Sequence, residues 1–532
     1  MKYKSSQKLY QILIFIFELK LLQKKIKPLL VLLIVSIVMS QLNYGQSLET
    51  YKEIFRPQFH FSPAQNWMND PNGLVFYKNE YHLFFQYNPY GNKADHDSWG
   101  HAISKDLVHW KQLPVAIPEL KGVIPASGSA VVDWNNTSGF GKNGEPPLVA
   151  IYAGVYKNNI NPYLAFSNDS GRTWTQYNKN PVARNSQNLR DPKVFWYQPG
   201  KKWVMVAAGD HKALFYASKN LKDWNLMSEF GSTSIGGGGW ECPDLFPLEV
   251  DGNPDNVKWV LDINLTSSGG VVGDSGTQYF IGNFDGKKFS EDDSFKHDLH
   301  WVDYGKDFYA VVSYNDIPKS DGRRIWIGWM GNWQYGQDIP TSPWRGTQSI
   351  PRSLFLKTFP DGVRLIQKPI DELKKLREKL FHYKNILLNM KDSLFTDKNL
   401  NGNSLEIEAE IEFASAKRFG FEVRKGINQE TVIGYDAIKH KLFIDRSKSG
   451  DTKFSDKFSG LQYAPLLASS KNIKLHIFVD WSSVEVFADD GKVVMTDLIF
   501  PNLNSSGINF FVSKGGVIIK DLKVWKLKSI WH

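Results

Sequence analysis

A chain of 532 residues with 42% apolar and 22% charged side chains can bury more than one large core, which excludes disorder as a description of the whole. The formal charge of +9 does not argue for nucleic acid, because the lysines from Lys2 to Lys27 are opposed only by Glu18 and later charges of both signs are interspersed. Cys242 is the only cysteine, so an intrachain disulfide, a cysteine-based structural metal site and a lipid-modified cysteine in the leader are all ruled out.

In chain order, the first predicted element is a leader. Lys24, Lys25 and Lys27 precede an apolar run from Leu29 to Met39, followed by a polar stretch from Ser40 to Gly45. The run fits the apolar region of a signal peptide better than a full membrane span. An earlier run, Ile12 to Phe17, lengthens the leader, and the residues before Gln46 make a poor small-x-small cleavage site. Residues 1–45 are therefore expected to be a signal peptide or a membrane anchor, the anchor being the one expected membrane contact. The rest of the chain is expected outside the cytoplasm, whether periplasmic, secreted or bound to the cell surface.

Short aromatic and β-branched runs follow at 73–77, 81–87, 148–153, 202–208, 258–263, 308–314 and 324–329, separated by Asn, Asp, Gly and Pro. They predict strands and turns, without long helical periodicity. A degenerate repeat adds topology. Ser104 to Trp110 (SKDLVHW) resembles Ser218 to Trp224 (SKNLKDW), Ser167 to Trp174 is a longer version, and Phe284 to Phe289 another. The aromatic ends leave about 50 to 65 residues per unit, enough for a four-stranded blade; ordinary β-turn chemistry is the alternative.

Lys368 to Leu380 reads as a short helix with Pro369 near its start, so 356–380 is expected to be a linker. New alternating segments at 405–413, 419–423, 473–479, 483–487 and 516–525 predict a second all-β body with opposed sheets over 381–532.

Three acidic segments carry the chemistry. In Asn66-Trp-Met-Asn-Asp-Pro-Asn-Gly73, Asp70 precedes a proline that keeps it out of the α region, and Asn72-Gly73 supplies a turn before an apolar strand. Asp70 is either presented to a cavity or simply caps a turn. Arg190-Asp-Pro192 repeats the Asp-Pro device; Arg190 either pairs with Asp191 or donates to a sugar hydroxyl. In the third segment a glycine run, Gly236 to Gly239, leads to Trp240-Glu-Cys-Pro-Asp244, where Trp240 offers a stacking face. Burial of Glu241 beside Trp240 and other acids would raise its pKa, as a proton donor requires, and Asp244 either competes for that role or is structural. Glycoside cleavage uses such a set: a proton goes to the departing oxygen while a carboxylate, or a water it activates, meets the anomeric carbon. His96, His101 and His109 lack a compact ligand pattern and are read as shaping loops or cores, and no residues call for a metal or cofactor.

At these residues the chain resembles glycoside hydrolase family 32, the fructan hydrolases and invertases, particularly bacterial exo-levanases and exo-inulinases. The likeness rests on Trp67-Met-Asn-Asp-Pro-Asn-Gly73, Arg190-Asp-Pro192 and Glu241-Cys-Pro-Asp244 in that order and extends over about residues 55 to 530. It implies a five-bladed β-propeller at 50–355 followed by a β-sandwich. It also implies Asp70 as nucleophile, Glu241 as general acid and base, and Asp191 as transition-state stabiliser, in a double displacement that retains configuration. Cys242 would tune the site beside Glu241. Matching blocks place Asn69, Gln86, Trp99, Ser129, Arg190 and Trp333 in a terminal-fructose pocket. The segment from Phe478 to Phe487 resembles a strand of the accessory sandwich, with Asp480 and Glu485 read as structural. The substrate expected is a fructan (levan or inulin) or sucrose, and no nucleic acid. An endo-acting fructanase, a related furanosidase and a noncatalytic carbohydrate-binding surface protein are the alternatives. Linkage preference and oligomeric state have no signature in the sequence.

Overall fold

The computed structural model describes residues 51–183, 188–231, 238–266, 273, 275–293, 299–390, 400–468 and 470–531, and the fold below is that of the body from Ile54 onward. The expected leader lies outside the described residues, as do Gly236 and Gly237. Among the described residues the protein is all-β, with 58% strand and 3% helix.

Four successive groups of antiparallel strands follow one another. Their first strands are Asn66–Tyr77, Ile124–Val132, Arg190–Tyr197 and Trp240–Val250. In each group the aromatic end of the sequence repeat leads into or begins the fourth strand: Trp110–Ile117, Thr175–Gln176, Asn225–Phe230 and Phe289–Glu291. Strands Tyr309–Ser313, Arg324–Trp329, Arg352–Phe359 and Gly362–Pro369 continue the last of these sheets.

Apolar side chains explain the succession, because each group packs face to face on the next. Phe84 and Trp99 meet Ala150 and Tyr152, Ile151 and Leu164 meet Val194 and Met205, and Val204 and Phe215 meet Leu245 and Leu261. Phe246 and Val260 then meet Phe308 and Trp326. A parallel pairing of Asn66 with Trp344 ties the first strand to the end of this series. First strands are therefore covered on both faces, and Asn66–Tyr77 is buried almost throughout.

The stretch expected to be a helical linker is different. Residues 352–369 form a hairpin, Asp371–Leu376 is a single 3-10 segment, and Arg377–Asn389 is a strand. Leu373 and Leu376 are both buried, a spacing one 3-10 turn satisfies, and the chain then pairs with the terminal strand Gly516–Leu527 instead of continuing a helix.

Beyond it, a six-stranded and a five-stranded sheet enclose one core that includes Ile407, Phe421, Ile433, Ile477 and Val486. This second body is joined to the first by buried charge. His60 contacts Asp480 Oδ2 at 2.7 Å through Nδ1 and Glu485 Oε1 at 2.9 Å through Nε2, while Arg352 reaches Glu485 at 2.5 Å and Asp303 at 3.0 Å. Asp480 and Glu485 are thus structural.

Candidate active site

Each of the three acids stands at the start of a first strand, and a proline one or two residues later explains its placement. Proline has no N–H for the ladder, so pairing breaks there into a bulge that re-aims side chains. The register shifts lie between Met68 and Pro71, across from Arg190 to Lys193, and between Glu241 and Asp244. Asp191 (φ 50°) and Cys242 (φ 40°) are held in the left-handed region, a strained conformation of the kind that clusters at functional sites.

The acids converge on Cys242. Its thiol lies 3.6 Å from Asp70 Oδ2, its backbone N–H donates to Asp191 Oδ2 at 3.1 Å, and Glu241 is its covalent neighbour. Burial lifts the Asp70 carboxyl above its ordinary range; hydrogen bonds from Ser127 and Asn69 oppose that, and the charge of Glu241 adds to it. Asp191 is raised by burial as well, against the pull of Arg190 and the Cys242 N–H, with Asp70 pushing the same way as burial. The Cys242 thiol is raised further still by burial and by the three carboxylates, so it remains a neutral group.

Glu241 is gripped at both oxygens. Arg190 Nη2 lies 2.6 Å from Oε1, and Tyr309 donates its hydroxyl to Oε2 at 2.8 Å. Burial, then the charge of Glu241, raises the Tyr309 hydroxyl well above its usual pKa, which keeps it a donor. Asp244 does not compete with Glu241. It is fully buried and accepts from Lys193 at 2.9 Å and from the N–H groups of Ser313 at 2.6 Å and Leu245 at 2.7 Å, a strut between strands.

Of the expected pocket residues, four stand near the acids. Asn69 donates to Asp70 Oδ1 at 2.9 Å and accepts from Trp67 Nε1 at 2.7 Å. Gln86 is buried and its Oε1 has no partner among the described residues. Arg190 is half-exposed against Glu241. Trp333 packs against the cluster of Trp67, Cys242, Tyr309 and Trp329.

Three further residues are engaged in packing or in strand-to-strand bonds. Trp99 is fully buried, packs in the core between the first two sheets and donates its Nε1–H to Ala126 O at 2.9 Å, so no face is left for a sugar. Ser129 links Pro192 O and the Val194 N–H, both at 2.9 Å, and also lines the small cavity it shares with Ser127, Asp191 and Cys242. Trp240, offered above as a stacking face, is likewise buried in the core between sheets. Ser127, in the same block, donates to Asp70 Oδ2 at 2.7 Å. In a regular strand Ser127 and Ser129 would share a face; the register shift between Pro125 and Gly128 separates them. Tyr309, the other residue not foreseen, lies in no acidic motif and has no local signal. His96 pairs with Glu119, His101 with His82 and His109 with Asp106, three separate places.

Two family descriptions match the chain: the glycosyl hydrolases family 32 N-terminal domain over residues 60–369 and the family 32 C-terminal domain over residues 372–526. A levanase of Bacillus subtilis (strain 168) is 51% identical over 488 residues, covering 90% of this chain and 72% of that protein. An extracellular exo-inulinase of Aspergillus awamori is 40% identical over 524 residues, covering 91% and 96% of the two chains. The crystal structure of the exo-inulinase from Aspergillus awamori superposes with a TM-score of 0.84, 38% identity and coverage of 90% and 100%. The β-fructofuranosidase of Schwanniomyces occidentalis complexed with fructosyl-erythritol gives a TM-score of 0.82, 31% identity and coverage of 90% and 99%.

Proposed function

The chain belongs to glycosyl hydrolase family 32 and is a β-fructofuranosidase, and from that premise we propose that it releases terminal β-D-fructofuranosyl residues from levan, inulin or sucrose with retention of configuration. The observation that carries the reading is the convergence of Asp70, Asp191 and Glu241 on Cys242. We further infer that the first body is a five-bladed β-propeller over about residues 50–355, extended by the hairpin to Pro369, and that the second is a β-sandwich. The face-to-face succession of sheets and the two sheets around one core support this. The extracellular Aspergillus relative and the sequence of residues 1–45 support an extracytoplasmic place.

In this reading Asp70 attacks the anomeric carbon. Ser127 and Asn69 orient its two oxygens, and its burial removes the water that would otherwise blunt a carboxylate. Glu241 gives its proton to the departing oxygen, then takes one from the water that cleaves the fructosyl ester on Asp70. Arg190 and Tyr309 hold the carboxylate that exists between those steps, which favours proton release and keeps the base aimed. Asp191, fixed by the Cys242 N–H, accepts from fructose hydroxyls as positive charge develops on the ring. Asn69, Gln86, Arg190, Trp333 and Ser127 make up the terminal-fructose pocket.

Purified protein incubated with levan, inulin and sucrose should release free fructose from the first minutes onward, resolved by chromatography. If neither fructose nor fructan oligosaccharides form from any of the three, the proposal fails. A ladder of oligosaccharides without early fructose would instead establish internal cleavage.

A further inference from the structure

Another carboxyl, Asp97, lies within electrostatic reach of Asp70. It ends the loop between strands Glu80–Asn88 and Ser98–Ser104. Trp67 pairs with Asn88 and Tyr87 with Ser98, so Asp97 lies one step beyond the end of the sheet where Asp70 leaves the ladder. Its Oδ1 is buried and has no hydrogen-bond partner among the described residues. Leaving such an atom unmade costs about 1–3 kcal/mol or more, so its retention calls for a use.

Asn92 Oδ1 in the same loop also lacks a partner among the described residues, but the loop is anchored at several points. Lys93 reaches Asp338 at 2.7 Å and Gln337 O at 2.8 Å, Asn88 donates to Lys93 O at 3.0 Å, and His96 meets Glu119 at 3.0 Å. Looseness therefore does not explain the unpaired oxygen of Asp97. The charges bearing on it are Asp70 from the first strand, Asp95 and His96 from its own loop, and Glu119 from beyond strand Trp110–Ile117. Burial is the largest influence and Asp70 the next, and together they push the Asp97 carboxyl up to about 6.

We propose that Asp97 is a substrate-binding residue whose buried oxygen accepts a hydrogen bond from a hydroxyl of the sugar lodged between Asp70 and the pocket mouth. Fructosyl units offer hydroxyl donors on every side, and a carboxylate is the stronger acceptor once ionised. Asp97 thus governs affinity, while Asp70, Asp191 and Glu241 govern turnover. This rests on the fructosyl-releasing function given above.

The test compares wild type with Asp97→Asn and Asp97→Ala on sucrose and levan across pH 4.5 to 8, with thermal unfolding as the check of fold. Asp97→Ala should raise KM about tenfold while kcat stays within about threefold. Asp97→Asn keeps one acceptor and should recover part of that loss. In wild type KM should fall as pH rises through about 6, and this dependence should vanish in Asp97→Asn, an isosteric change that serves if the alanine variant does not fold. A KM within twofold of wild type at every pH, or a loss falling on kcat with KM unchanged, overturns the proposal. Calorimetric titration with fructose separates the two readings. No product from wild type defeats the function, whereas product with equal fructose affinity in wild type and variants defeats only the role of Asp97.

Discussion

Ser127 donates its hydroxyl to Oδ2 of Asp70 at 2.7 Å, across the boundary between the first and second sheets. In the proposed mechanism the bond orients the attacking carboxylate, and it favours the ionised form against the push of burial. A hydrogen bond to a charged group is worth about 1.5–3 kcal/mol. Ser127→Ala should therefore lower kcat/KM about 10- to 100-fold at neutral pH, and the acidic limb of the pH–rate profile should move upward. Steady-state kinetics from pH 3.5 to 7 measure both. Ser129→Ala, by contrast, should lower the unfolding temperature and leave the acidic limb where it is.

Asp70→Asn should abolish turnover by about 10³-fold or more while the protein stays folded, because an amide neither attacks nor leaves as a carboxylate does. Glu241→Gln should cost about 10²- to 10⁴-fold on sucrose and fructans and much less on fructosides with an acidic leaving group, which depart without a proton. Aryl and alkyl fructosides compared side by side read the difference. An equal loss on both would take the proton-donor role away from Glu241.

The His60 network makes a prediction about pH and stability. Burial alone would lower the His60 pKa, but the hydrogen bonds to Asp480 and Glu485 and then their charges win and carry it from 6.5 to about 9. A raised folded-state value means that the stabilisation is complete below about pH 6.5 and is lost as pH rises through about 9. A shift of this size corresponds to about 3 kcal/mol. Chemical denaturation at pH 6, 7.5 and 9.5 should show wild type weakening over this window, and His60→Gln should be weaker at pH 6 and decline less.

Asp262 is fully buried opposite Asp244, and neither of its carboxyl oxygens has a partner among the described residues. Burial first, then the charge of Asp244, raises its pKa well above 3.8, against a smaller pull from Lys193. The unfolded chain ionises Asp262 more readily than the folded one, so this position favours folding below the ordinary carboxylate range and opposes it increasingly as pH rises. Asp262→Asn removes that opposition at nearly constant volume. Its unfolding temperature should exceed wild type at pH 7, and the gain should shrink toward pH 4, as differential scanning calorimetry would show.

The strands and the repeat were legible in the sequence, because those signals are local. Alternation and β-branching specify strands such as Leu405–Phe413, and the repeated turn specifies where each fourth strand starts. Prolines at 71, 192 and 243 specify where pairing breaks, while the choice of Asp70, Asp191 and Glu241 among the acids came from the resemblance of their motifs to family 32. Tertiary structure decided which side chains meet. Whether Ser127 or Ser129 faces Asp70 depends on a single register shift that moves every later side chain to the other face. Trp99 and Trp333 look alike in composition, yet one is consumed by packing between sheets and the other packs beside the acids. Tyr309 joins Glu241 only because strands 68 residues apart in sequence are brought together at the site. The hydroxyl that grips Glu241, the serine that orients Asp70 and the unpaired oxygen of Asp97 belong to that level, since long-range packing leaves no periodicity in the chain that encodes it.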